Sequence, residues 1–352
     1  MISALLIFFY TGTSLEAPPF YPDKSRLLCV QEKDGSYTAV ESIETWQRRR
    51  EHILENVCLV MGPLPDQARD TAPDYQLLEE IDTPRYKRQS IRYNAEPGPA
   101  VTAFLFLPHQ QKETRPAMMC LHPTSSLGKR IVAGEGEKPN RNYASELAER
   151  GYVVLAPDYP GFGDDVDARK GLYEAGYVSC SMKGIWNHLR GVDLLASLPQ
   201  VDPQRMGCIG HSLGGHNTLF LGLFDTRLRV LVTSCGFNSF TKYMGGDLTG
   251  WSHDGYMPRI ADIYGSDAAN MPFDFTEVVA ALAPRTLFIN APLHDDNFEV
   301  SGVRDVIDSA TPVYALYGAQ DALHIRYPEA EHDFPTKERY EAYAVIDEIL
   351  SK

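Results

Sequence analysis

From about residue 85 onward, short apolar runs alternate with polar, helix-compatible stretches. Residues 117–121, 152–156, 206–209, 230–234 and 286–291 are near-continuous apolar runs of strand length. Such runs, rather than strictly alternating ones, mark strands covered on both faces. Between them, residues 140–150, 181–198 and 217–224 read as helices, the first stopped by Gly151. A strand over 322–327 and a helix over 336–350 close the series. Upstream, residues 85–95 and 101–107 read as an antiparallel pair joined through Pro97-Gly98-Pro99. The pattern predicts an α/β fold, with a mostly parallel central sheet and helices on both of its faces. No internal repeat or low-complexity segment interrupts it.

The first part of the chain reads differently. Residues 1–40 show little periodicity, and Pro18-Pro19 and Pro22 break it further. Residues 2–10 form an apolar run of signal-peptide length, yet no Lys or Arg precedes it. The run is too short to span a membrane. Two readings stay open for residues 1–17: an atypical signal, implying a secreted or periplasmic protein, or a disordered leader on a cytoplasmic one. Residues 42–61 then form an amphipathic helix, with Ser42 as N-cap, Ile53, Leu54, Val57 and Met61 at helical spacing, and Gly62-Pro63 as the stop. Residues 63–73 are a linker. The expected organisation is a leader (1–40), a helical arm with its linker (41–75) and a catalytic domain (76–352).

Composition narrows the partners. The chain has 352 residues, 43% of them hydrophobic and 23% charged, with a net charge of −14. That balance disfavours nucleic acid and anionic membranes, and no segment reads as membrane-spanning. The densest basic cluster, Arg48-Arg49-Arg50, is flanked by Glu44, Glu51 and Glu55 and reads as a solvated helix face. The six cysteines, Cys29, Cys58, Cys120, Cys180, Cys208 and Cys235, include no C-x-x-C pair. Those in strand-like runs are expected as buried free thiols.

Candidate chemistry centres on Gly210-His211-Ser212-Leu213-Gly214, a G-x-S-x-G pattern between an apolar run and a helix. A strand turning sharply into a helix projects the central serine beyond the sheet, at a helix N-terminus that favours developing negative charge. A serine hydroxyl needs an adjacent base. Of the ten histidines, His324 and His332 lie near the last strand; His324 falls inside it, whereas His332 follows it and precedes the final helix. His332 is therefore the expected base. The loop after residues 286–291 offers two adjacent carboxylates, Asp295 and Asp296. Asp295 is preferred for its distance from the strand end, with Asp296 as the alternative. The oxyanion donors are expected to be the backbone N–H groups of Leu213 and, because Pro123 has none, of Thr124. His122 is expected to shape that loop, and His211 and His216 to pack.

Two other features bear on the pocket. His253, His294, Asp295, Asp296, His332 and Asp333 lack any tight metal-ligand spacing, so no catalytic metal and no cofactor are expected. Residues 237–275 are long for a connection and rich in aromatics (Phe237, Phe240, Tyr243, Trp251, Tyr256), which reads as a lid-like insertion.

These residues resemble the α/β-hydrolase family over roughly residues 85–352. The resemblance rests on the serine pattern, on His122-Pro123-Thr124, on Ala156-Pro157-Asp158-Tyr159-Pro160-Gly161-Phe162-Gly163, and on His332 before the last helix. The branch it looks most like is the dienelactone hydrolase and acetyl xylan esterase-like group, where true dienelactone hydrolases carry cysteine in place of Ser212. The resemblance implies a serine esterase with a Ser-His-Asp triad, acting on a small ester, with short-acyl or acetylated carbohydrate esters favoured. Two alternatives stand beside it: a serine peptidase or amidase for short peptides, although the propeller domain of oligopeptidases does not fit in this length, and a non-catalytic binding protein on the same scaffold.

Overall fold

The computed structural model describes residues 17–98, 100–109 and 114–351. The apolar run at residues 2–10, and with it the signal-peptide reading, lies outside the described residues. In chain order, the arm comprises β1 (Cys29–Gln31), β2 (Tyr37–Ala39) and α1 (Ile43–Met61). The sheet-forming part follows with β3 (Tyr75–Asp82), β4 (Tyr86–Tyr93), β5 (Val101–Pro108), β6 (Arg115–Leu121), α2 (Lys129–Val132), α3 (Tyr143–Glu149) and β7 (Val153–Pro157). Then come α4 (Cys180–Ser197), β8 (Val201–His211), α5 (Leu213–Phe224), β9 (Leu228–Ser234), α6 (Arg259–Asp262) and α7 (Phe275–Ala280). The chain ends with β10 (Thr286–Asn290), α8 (Val300–Leu316), β11 (Leu323–Arg326) and α9 (Thr336–Leu350).

Strands β3 to β11 form one nine-stranded sheet in the order β11-β10-β9-β8-β6-β7-β5-β4-β3. From β7 to β11 all neighbours pair in parallel, while β5 runs antiparallel to β7, β4 to β5 and β3 to β4. The expected α/β-hydrolase architecture is what the chain adopts. Strand alternation sorts the core into two layers. Ala117, Met119 and Leu121 of β6 join α1, α4, α5, α7 and α8 on one face. Met118 and Cys120 join α3 and α9 on the other. Burying both faces of β6, β7 and β10 explains why they read as continuous apolar runs. Among the described residues, no helix is long and apolar enough to cross a membrane. All six cysteines are free thiols.

Three elements escaped the sequence pattern. Residues 17–40, read as the second half of a leader, instead carry the β1–β2 hairpin and bury Leu27, Val30 and Val40 in the larger core. The edge strand β3 is exposed along its whole length, so no apolar face marks it. The reading of Arg48-Arg49-Arg50 as a solvated face is corrected for Arg49 and Arg50, while Arg48 is exposed and pairs with Glu32 at 2.6 Å. Arg49 is fully buried, pairs with buried Glu277 and lies 3.4 Å from the Tyr21 ring centroid. Arg50 donates to the carbonyls of Leu223 and Ala281 at 2.9 and 3.0 Å. Leu223 and Ala281 lie at the carboxyl ends of α5 and α7, where terminal carbonyls lack intrahelical donors and cations are favoured. Arg50 answers that local need, and Arg49 neutralises the buried Glu277 carboxylate.

Candidate active site

The serine sits where β8 turns into α5. Ser212 has φ 54° and ψ −117°, a conformation rare for a residue with a Cβ, and its N–H donates to the Ser234 carbonyl at 2.8 Å. Two glycines make the bend sterically feasible. A Cβ on Gly210 would lie 2.0 Å from the Gly214 carbonyl oxygen, and one on Gly214 would lie 2.0 Å from that of Leu121. The second contact also brings the loop after β6 against the start of α5. Leu213, the first residue of that helix, carries an amide that no earlier helical carbonyl can accept.

The loops after β10 and β11 supply a carboxylate and an imidazole. His332 Nδ1 lies 3.0 and 2.9 Å from the two carboxylate oxygens of Asp295. The Asp295 side chain is buried, whereas that of His332 is 26% exposed and opens to solvent. Burial pushes the Asp295 carboxyl up. The hydrogen bond from His332 and the N–H groups of Phe298 and Asn297, both at 3.0 Å, outweigh it and hold the group below the usual range. Asp296 is exposed. The geometry therefore brings Asp295 to His332. His324 stays in β11, as its sequence position suggested.

The backbone that carries the imidazole is also held, by residues that sequence reasoning missed. Arg141 is buried, donates to the His332 carbonyl at 3.1 Å and pairs with Asp333. Asn140 donates to the same carboxylate, and Asn290 Nδ2 donates to the Asp333 carbonyl at 2.9 Å and to Ser234 Oγ at 2.9 Å. Asp333 was visible as a neighbour of His332, but its partners stand some 190 positions away or on β10, with no local signal. His211 packs as expected: buried, with Nδ1 2.9 Å from Ser234 Oγ and its ring 4.9 Å from that of His332. Burial, aided by the nearby Arg141 charge, holds its pKa well below the usual value, so the ring stays neutral.

The loop after β6 is fixed by His122. Tyr159 N–H donates to its Nε2 at 2.9 Å, which leaves the ring proton on Nδ1 to donate to the Pro123 carbonyl at 2.7 Å. Burial lowers its pKa and keeps it neutral. Thr124 is exposed, and its Oγ1 lies 3.0 Å from the Tyr256 hydroxyl. The aromatics of residues 237–275 are spent largely on packing. Trp251 is buried 4.7 Å from the His216 ring and packs against Phe240, Tyr243 and Phe298, while Tyr256 stays half-buried beside Leu213. Among the described residues, Cys235, Asp295 and His332 form a group whose ligand atoms all lie within 4.8 Å of one another.

A serine at a strained strand–helix bend and a carboxylate-held imidazole from after the last strand both lie at the carboxyl edge of the sheet. In sequence comparison, the profile of the prolyl oligopeptidase family matches residues 140–350, more than half of the chain. The chain belongs to the prolyl oligopeptidase family. A second profile, described as an abhydrolase family, matches residues 34–185 of this family member. YtaP of Bacillus subtilis (strain 168), whose name assigns it provisionally to the hydrolases, is 26% identical over 304 residues, 83% of this chain and 96% of that protein. Among solved structures, the glucuronoyl esterase from Solibacter usitatus superposes with a TM-score of 0.71 at 19% identity, covering 95% of this chain and 99% of that one. Acetyl xylan esterase 1 from Thermoanaerobacterium sp. JW/SL YS485 gives a TM-score of 0.58 at 15% identity, covering 81% and 90%. These likenesses extend the shared fold well beyond the segment matched by the family profile.

Proposed function

We propose that this prolyl oligopeptidase family member is a serine hydrolase of carboxylic esters, with Ser212, His332 and Asp295 as its triad. The observation that carries the reading is the His332–Asp295 pair at 2.9–3.0 Å, on loops at the same sheet edge as the Ser212 bend. His332 Nδ1 keeps its proton towards Asp295, which leaves Nε2 free to take the Ser212 proton as the hydroxyl oxygen attacks the ester carbonyl. Asp295 orients the imidazole and stabilises its cation. The N–H groups of Leu213 and Thr124 bind the oxyanion, each contributing about 3 kcal/mol. The alcohol leaves with the proton returned by His332. Water then adds to the acyl-enzyme by the same route and frees the acid and Ser212.

Short-acyl and acetylated carbohydrate esters are the favoured substrates. The names of the solved neighbours, a glucuronoyl esterase and an acetyl xylan esterase, support that choice. Membership of a family named for oligopeptidases supports a second reading, cleavage of short peptides. Turnover of p-nitrophenyl acetate against aminoacyl p-nitroanilides separates the two. The ester is expected to be hydrolysed, and Ser212→Ala to lower kcat by about 10⁴-fold or more in a folded protein. Unchanged turnover by the variant refutes the assignment, and faster anilide cleavage replaces the esterase with a peptidase.

A further inference from the structure

We propose that Cys235, Asp295 and His332 form a binding site for Zn²⁺, and that its occupation switches the hydrolase off. The shut-off half of this inference rests on the ester-hydrolase reading above; the binding half does not.

Three loops at the carboxyl edge of the sheet converge here. Cys235 is the first residue after β9, Asp295 lies after β10 and His332 after β11. Cys235 adopts φ 49°, a region that residues with a Cβ seldom occupy. Its N–H donates to the Asn290 carbonyl at 2.9 Å and its thiol to the Asp333 carbonyl at 3.3 Å. These bonds hold the sulfur beside the His332–Asp295 pair, in the group of three whose ligand atoms lie within 4.8 Å. Zinc bonds of about 2.0–2.3 Å in a tetrahedron set ligand atoms roughly 3.5 Å apart. The imidazole and carboxylate already stand 2.9 Å apart, so a shift of roughly an ångström makes the set a zinc site. One sulfur, one nitrogen and one oxygen are a donor set that zinc accepts, with water as the fourth ligand. The half-buried His332 ring gives the ion a way in from solvent.

The chemistry of binding explains the inhibition. The Cys235 S–H bond is replaced by a sulfur–zinc bond and its proton goes to solvent. His332 gives the zinc its Nδ1 lone pair, so the ring's proton moves to Nε2. An imidazole protonated on Nε2 has no lone pair left for the Ser212 hydroxyl, and Asp295 is drawn to the metal as well. The base is disabled without any damage to the fold. This is distinct from metal catalysis, because the zinc sits on the side of the ring away from the serine.

The test uses the full chain. Micromolar Zn²⁺ is expected to abolish p-nitrophenyl acetate turnover, and a chelator to restore it. Relative to its own metal-free rate, Cys235→Ser should need at least about tenfold more Zn²⁺. Cys235→Gly, which suits the positive φ, serves as the second variant. Co²⁺ titration reads the site without activity. A thiolate-to-cobalt charge-transfer band should appear in the wild type and in Ser212→Ala, and be lost in both Cys235 variants. Equal zinc sensitivity with and without the thiol, or no band in the wild type, overturns the proposal. A band without zinc inhibition overturns the switch-off. If no ester is turned over at all, the esterase reading fails while the cobalt spectrum still decides the site.

Discussion

Both edges of the central sheet pair buried charges, but only one of them adds backbone strain. At the amino edge, Asp193 and Asp225 are saturated by arginines. Asp225 accepts from Arg69 at 3.0 Å and from Arg227, and Asp193 accepts from Arg69, Arg190 and Arg227 at 2.6–3.0 Å. Burial pushes the Asp225 carboxyl up, yet the Arg227 and Arg69 contacts hold it below the usual range. The carboxyl edge pairs Arg141 with Asp333 and adds strain: Ser212 and Cys235 keep positive φ, at a cost of about 1–2 kcal/mol each. One edge is built to hold the chain together and the other to present groups in conformations they would not choose. Sites with that signature are where function is found in sheets of this kind.

The largest test of the contrast compares two neighbouring acids at the carboxyl edge. Asp295→Asn keeps the shape of the side chain but disturbs the imidazole tautomer, and kcat for p-nitrophenyl acetate should fall about 10⁴-fold. Asp296→Asn, in the exposed neighbour, should change it less than about twofold. Equal losses would mean that the loop as a whole, rather than one carboxylate, carries the effect. The amino edge should give the reverse outcome. Asp225→Ala leaves Arg69 and Arg227 short of a buried partner and should cost about 3 kcal/mol in urea unfolding, with kcat of the folded fraction unchanged within about twofold. A fall in kcat without loss of stability would erase the division between the edges.

The same division governed what could be read from the sequence. The strands around β6, β8 and β10 were legible because burial on both faces leaves only apolar positions. The serine bend was legible because Gly210, Ser212 and Gly214 are fixed by local sterics. His332 and Asp295 could be named from chain order, since the parallel sheet delivers successive loops to one edge. The arginines could not. Arg49, Arg69 and Arg141 look like ordinary surface cations in sequence, and their partners Glu277, Asp193 and Asp333 lie more than 120 positions away. Burial of a charge is a property of the partner, and the partner is chosen by tertiary contact. Cys235 is illegible for the same reason: its apolar flank announces a core thiol, and only the folded loops set it against an imidazole and a carboxylate.

The smallest effect isolates the strain itself. Ser212→Ala and Ser212→Gly both remove the nucleophile, so activity does not distinguish them, but their stabilities should differ in an unusual direction. At an ordinary position glycine is the less stable of the two by about 0.5–1 kcal/mol, because the unfolded chain gains freedom. At φ 54° alanine retains the conformational cost of its Cβ, about 1–2 kcal/mol, and glycine sheds it. The relief exceeds the entropy, and Ser212→Gly should unfold at higher urea than Ser212→Ala, by about 0.5–1 kcal/mol. The ordinary order would show that the bend costs nothing to hold. The contrast between the edges would then lose its strained half at Ser212.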